Sequence, residues 1–192
     1  MPRTAEVSRK TKETEIRLFV NLDGTGLVKV ETGIPFFNHM LGAFFLHGGI
    51  DADLTVKGDL EVDCHHTVED TGIVIGQAVL KAIGSSKAVK RFGTAHIPMD
   101  EALSRCCVDV SGRPYLVFSA EFKNQFIGNF DTGMVEEFMR ALSVNMGLAL
   151  HIANLYGQDD HHKAESMFKA LAQALKKALS PSKKVLSTKG TL

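Results

Sequence analysis

The chain has 192 residues, 44% apolar and 23% charged, enough for one globular domain or two small fused repeats with a sizeable core. Lys plus Arg and Asp plus Glu number 22 each, so no summed field steers the molecule toward nucleic acid or an anionic membrane, and a small-molecule ligand is the default expectation. No apolar run approaches the ~20 residues of a membrane helix, and Met1-Pro2-Arg3-Thr4 does not open a secretory leader, so a soluble cytoplasmic protein is expected.

In chain order, an alternating β-branched run over 11–20, turn chemistry at 21–26 and a second alternating run over 27–32 together predict a hairpin. Gly33-Ile34-Pro35 breaks it. Residues 36–46 follow as an apolar helix containing Asn38, His39 and Met40, ended by Gly48-Gly49. A strand over 52–57, a Gly58-Asp59 turn, a short strand over 60–63 and a helix over 67–83 complete a first half, closed by Gly84-Ser85-Ser86. After Arg91 the pattern recurs: a strand over 102–110, a turn at Ser111-Gly112-Arg113-Pro114 and a return strand over 115–121 predict another hairpin. A helix from Gly133 to Leu142 or Met146, a strand over 149–155, a polar loop over 156–160 and a helix over 162–179 stopped by Pro181 complete the second half. The tail, 182–192, is polar, basic and without periodicity, and reads as a solvated or ligand-ordered segment. The three cysteines are odd in number and Cys106-Cys107 are adjacent, so they are read as reduced, with the adjacent pair facing opposite sides of a strand. Cys64 is read as a small buried residue ahead of a soft metal ligand.

Two motifs carry the chemistry. His65-His66-x-x-Glu69 and His161-His162-x-x-Glu165 lie 96 residues apart, half the chain, each at or just before the start of a long amphipathic helix. The i, i+4 spacing puts His65 and Glu69 on one helix face, where they can grip one ion together, whereas His66 is rotated by ~100° and serves another. The same geometry pairs His161 with Glu165 and frees His162. If the repeats face each other with approximate two-fold symmetry, within one chain or between chains, each helix gives a His-Glu pincer to one metal and a lone His to the other. His39, 26 residues before His65, and Glu137, 24 before His161, supply a fourth ligand to each. The expected shells are His39, His66, His161, Glu165 and His65, Glu69, Glu137, His162. Imidazole and carboxylate with open positions suit six-coordinate Mn, Fe(II) or Co rather than a closed structural zinc. A single such motif would read as capped or core histidines; two in register, each with an upstream partner, favour metal. Asp70, Asp159 and Asp160 are expected to accept from the ligating imidazoles or to charge the helix starts. His96, before Ile97-Pro98 in a loop, reads as incidental, and His47 and His151, at the edges of apolar segments, stay open between core packing and ligand contact.

With those residues in place, the chain resembles the imidazoleglycerol-phosphate dehydratase family. The resemblance runs through Arg3-Thr4-Ala5 to Arg9-x-Thr11-x-Glu13-Thr14, Phe36-Phe37-Asn38-His39-Met40-Leu41, Asp63-x-His65-His66-Thr67-Val68-Glu69-Asp70-Thr71-Gly72, Met99-Asp100-Glu101-Ala102, Asp109-x-Ser111-Gly112-Arg113, Asp160-His161-His162-Lys163-x-Glu165 and Ser187-Thr188-Lys189-Gly190. It implies an α+β fold of the type named for domain 2 of ribosomal protein S5, internally duplicated, with two mainly antiparallel sheets and the helices packed between them. The chain would be a single catalytic domain, 1–192, made of repeats at about 1–90 and 91–181 with a basic tail.

The activity implied is that of a hydro-lyase, a carbon-oxygen lyase, dehydrating imidazole glycerol phosphate to imidazole acetol phosphate in histidine biosynthesis with two Mn2+ per active site. The carbon-bound proton to be removed is not acidic in water, so charge has to be delocalised into the substrate ring, held as imidazolate between the metals, while a carboxylate moves the proton. The resemblance puts Glu13 in that acid/base position beside Glu69 and Glu165. It also puts substrate contacts at His39, His47, His65, His66, Arg91, Arg113, His161, Lys169, Ser187 and Lys189, whose cations suit a phosphate dianion. By residue pattern alone, Glu13 is a strand-surface charge and Lys189 a solvated terminal one. At Glu137 some relatives, including plant-type members, have histidine; carboxylate can take its place on manganese. Family members assemble into shells of 24 chains with metal sites at subunit contacts, so a large homo-oligomer is implied. No phosphatase segment of the kind some bacterial relatives carry precedes the motifs, so a single activity is expected. A dinuclear phosphate-ester hydrolase and a metal-storage shell are the competing readings of the same residues.

Overall fold

A computed structural model describes residues 3–84 and 89–182. The first half contains β1 (Thr4–Lys10), β2 (Thr14–Asn21), β3 (Val28–Glu31), α1 (Pro35–Gly48), β4 (Asp51–Gly58) and α2 (His65–Ile83). The second contains β5 (Phe92–Met99), β6 (Ala102–Val110), β7 (Tyr115–Ser119), a small two-stranded insertion of β8 (Phe126–Ile127) and β9 (Phe130–Asp131), then α3 (Met134–Met146), β10 (Leu148–Tyr156) and α4 (Asp160–Ala178). The two four-stranded sheets have the same topology, β1-β2-β4-β3 and β5-β6-β10-β7, so the chain is internally duplicated at the level of the fold.

The expected hairpins are corrected by this topology. β2 and β3 do not pair: β2 lies antiparallel between β1 and β4, and β3 runs parallel to β4. Likewise β6 lies between β5 and β10, and β7 runs parallel to β10. Turn chemistry stops a strand without choosing its partner, and a parallel pair needs a helical crossover, here α1 and α3. Besides the short β8 and β9, two strands of the four-stranded sheets escaped the sequence pattern. β1 is largely polar on its outward side, and β5 contains Pro98, which an edge strand tolerates. His96 therefore stands exposed on β5 and not in a loop. The short strand expected over 60–63 is a turn closed by a 2.8 Å bond from Val62 N–H to the Asp59 carbonyl.

Alternation along each central strand builds the core. Ile16, Leu18 and Val20 of β2 point inward while Arg17 and Phe19 point out, and on β6 the free Cys106 is buried with Cys107 half-buried on the other face. Each sheet is covered by helices of its own half, and the helices meet across the halves, α2 against α3 and α1 against α4. The α2–α3 approach depends on Gly72 and Gly76, where a Cβ would lie only 2.8 Å from Ala141 Cβ and 2.9 Å from Asn145 Cβ. α1 starts at Pro35, whose missing N–H is free of cost in the first turn, and ends on Gly49 in the left-handed region. Its Phe37 stacks with Phe130 and meets Phe138 edge-on, and Phe138 stacks with Phe168. This aromatic column locks α1 against α3 and α4, each buried ring contributing roughly 1.5–3 kcal/mol by burial.

Candidate metal centre

Both motifs sit on the first turn of the last helix of their half. At α4 the Asp159 carboxylate accepts from the His161 and His162 backbone N–H groups, and at α2 the Asp63 carboxylate accepts from His65 N–H at 2.7 Å. These caps fix where the following side chains point.

At α4 three ligand atoms converge. His39 Nε2, reaching over from α1, and His161 Nε2 each lie 3.2 Å from Glu165 Oε2, and all three donors fall within 4.8 Å of one another. Among the described residues this is the one such group of three. Glu165 is only 6% exposed. Burial pushes its carboxyl up, but the Lys169 ammonium on its other oxygen at 2.6 Å and His39 outweigh that, leaving it lowered and ionised. Two imidazoles and a carboxylate suit a divalent ion of the manganese type, and cis donors about 2.1–2.2 Å from an octahedral ion lie roughly 3 Å apart. His161, Glu165 and Lys169 follow each other at i, i+4, i+8 along one face of α4. His47, two turns beyond His39 on α1, has its imidazole lowered by burial and by the Lys169 charge.

At α2 the equivalent pincer is open. His65 Nε2 stands 3.8 Å from Glu69 Oε2, with both side chains exposed. Glu137 on α3 is occupied with Arg140 at 3.9 Å, and among the described residues it joins no group of three with them. A cleft of about 310 Å3 lined by Asp63, Cys64, His65, Asp131 and Met134 borders this pincer.

The lone histidines face elsewhere, as their rotation along the helix requires. His66 Nδ1 bonds Asp59 at 3.0 Å with Glu13 4.0 Å from its Nε2, and His162 Nδ1 bonds Glu101 at 2.7 Å with Asp100 3.6 Å from its Nε2. Asp59 and Glu101 raise the two imidazoles. Glu101 also accepts from the Gln158 and Asp159 N–H groups, which with His162 hold its carboxyl down at about 2. Of Asp70, Asp159 and Asp160, expected to accept from the imidazoles or to charge the helix starts, none bonds a ligand ring among the described residues, and Asp159 takes the second role as the cap of α4. Asp70 is buried with Arg9 and Thr14, and Asp160 with Lys163 and the Lys123 and Asn124 N–H groups. The motif Met99-Asp100-Glu101-Ala102 was the available signal for Glu101; Asp59 had none beyond its turn.

The phosphate-contact candidates are spread differently. Arg91, in the left-handed region, holds Asp109 through two nitrogens at 2.6 and 3.1 Å and lies over the Phe92 ring. Arg113 is exposed after its turn. Ser187 and Lys189 lie outside the described residues.

Residues 32–175 match the family model described as imidazoleglycerol-phosphate dehydratase. Curated proteins of that name from Phenylobacterium zucineum and Acetivibrio thermocellus are each 52% identical to this chain, with all of both chains covered. The crystal structure of the dehydratase from Staphylococcus aureus superposes with a TM-score of 0.84 at 40% identity, covering 93% of this chain and 99% of that one. The Pyrococcus furiosus structure superposes with a TM-score of 0.84 at 36% identity, covering 97% and 100%.

Proposed function

The chain belongs to the imidazoleglycerol-phosphate dehydratase family, and from that premise we propose that its hydro-lyase activity in histidine biosynthesis runs at a dimanganese centre completed between copies of the chain. The convergence of His39, His161 and Glu165 carries this reading. One ion would be held by these three with His66 from another copy of the chain, and the other by His65, Glu69, Glu137 and His162 shared in the same way. A large homo-oligomer, 24 chains by family likeness, follows from such sharing. No helix of the described residues is long and apolar enough to cross a membrane, and a cytoplasmic location is part of the same reading.

Dehydration takes a hydroxyl from one side-chain carbon of the substrate and a hydrogen from its neighbour, and the resulting enol becomes the ketone. When bound, manganese supplies the Lewis acidity that steadies the substrate ring as an anion. Lys169 keeps Glu165 ionised as a ligand by occupying its second oxygen. Glu13, at the exposed turn between β1 and β2, is free to take the carbon-bound proton and return it to the departing oxygen. Arg113, Lys169, Ser187 and Lys189 are assigned to the phosphate end, with His47 and Arg91 lining the approach.

Chelator-stripped protein given imidazole glycerol phosphate with and without Mn(II), followed for ketone and free phosphate together, tests the proposal. Metal-dependent ketone without phosphate is expected. Phosphate release would favour a hydrolase, and metal-independent ketone would remove manganese from the mechanism.

A further inference from the structure

Two carboxylates outside the proposed ligand set hold the ring nitrogens of repeat-related histidines, and they come from different places in the two repeats. Glu13 directly precedes β2 as Glu101 directly precedes β6, and the flanking strands occupy the same positions in their sheets. The residue after Gly58 is Asp59; the residue after its counterpart Gly157 is Gln158. In the second half the pre-strand carboxylate is fully engaged: Glu101 takes Gln158 N–H at 2.9 Å, Asp159 N–H at 2.8 Å and His162 Nδ1 at 2.7 Å. In the first half Asp59 N–H still reaches the same turn, but it bonds the Glu13 backbone carbonyl at 3.1 Å, while the Asp59 side chain itself takes His66 Nδ1. The Glu13 carboxylate is left about half exposed, its nearest ionic neighbour the His66 Nε2 at 4.0 Å.

An ionised carboxylate can only accept, so in the neutral form of both rings Nδ1 carries the proton and the Nε2 lone pair is left for a ligand. Asp59 is poorly explained as a stabilising residue, because its Oδ1 is buried without any hydrogen-bond partner among the described residues and its Oδ2 bonds only His66.

Resting on the two-metal reading above, we infer that Asp59 and Glu101 are positioning residues that set the Nδ1–H tautomer of His66 and His162 and aim Nε2 at metal, and that Asp59, by doing this in the first half, releases Glu13 for proton transfer. The acid/base role thus falls to one repeat because the other repeat's equivalent carboxylate is tied down.

The test is calorimetric titration of chelator-stripped full-length protein with Mn(II), alongside turnover and the thermal midpoint of the metal-free form. Asp59→Ala is expected to weaken manganese binding about 10- to 100-fold, the range for losing a carboxylate behind a ligating histidine. Its metal-free midpoint, read at a pH above the raised His66 range where that charged pair no longer contributes, should stay at the wild-type value. Asp59→Asn, which still offers an oxygen to Nδ1–H, should restore most of the affinity, and Glu101→Gln should show an intermediate loss. Glu13→Gln should bind manganese as wild type does yet lose turnover. Wild-type affinity in Asp59→Ala overturns the inference and leaves the two-metal reading standing, as does a loss that tracks a lowered midpoint and is not rescued by Asn. Absence of manganese binding by the wild-type protein overturns both.

Discussion

At the scale of single residues, two imidazoles and their carboxylates would set when metal can enter the proposed site. His66 and His162 are raised above the ordinary imidazole value, first by their bonds to Asp59 and Glu101, so each keeps its ligand nitrogen protonated to a higher pH than a free histidine. Metal must displace those protons. The apparent Mn(II) affinity should therefore climb as pH rises through about 6.5 and continue to climb above it, checked by calorimetry across that range. The metal-free fold should behave in the opposite sense: the charged pairs stabilise it below the ordinary imidazole value, and that contribution is lost as pH rises through the raised one. An affinity flat with pH would contradict the assignment of these rings as ligands. The His-Glu pincers were legible because i, i+4 is a property of the helix alone. Asp59 and Glu101 were not, since they reach their histidines from turns 7 and 61 residues away, a proximity made by the sheets.

At the scale of elements, placement of the α2 pincer depends on how closely α2 and α3 approach. A methyl at Gly72 would press on Ala141 Cβ and the Phe138 carbonyl, neither the far end of a flexible chain. Gly72→Ala should cost about 1–3 kcal/mol by overpacking despite its better helix propensity, read as a lowered denaturation midpoint, with turnover falling as α2 shifts. A stabilised variant would mean that the helices can separate freely. All four helices of the described residues were legible, α1 as an apolar run between Gly/Pro breakers and the others by periodicity, because both signals are written in consecutive residues. Strand pairing was misread in both halves for the opposite reason: the partner of β2 or β6 is chosen by β4 or β10, which lies beyond an intervening helix.

At the scale of the whole molecule, duplication supplies two equivalent surfaces, yet one chain gathers only three of eight proposed ligands. Mixing a His39→Ala variant with a His66→Ala variant, dissociated and reassembled together, should restore part of the turnover that each lacks alone. No recovery in co-assembled protein would place His66 and His39 in one chain or in separate functions. The repeat was visible as a spacing of half the chain; what would close the open pincer was not, because under the proposed sharing it lies in another copy of the chain. The sheet order also governs synthesis. Since β4 must insert between β2 and β3, and β10 between β6 and β7, neither half can finish until its crossover helix and final strand have emerged. Each His-Glu pair lies within a few residues after that last strand, so a nascent chain presents it only once the sheet that supports it can close.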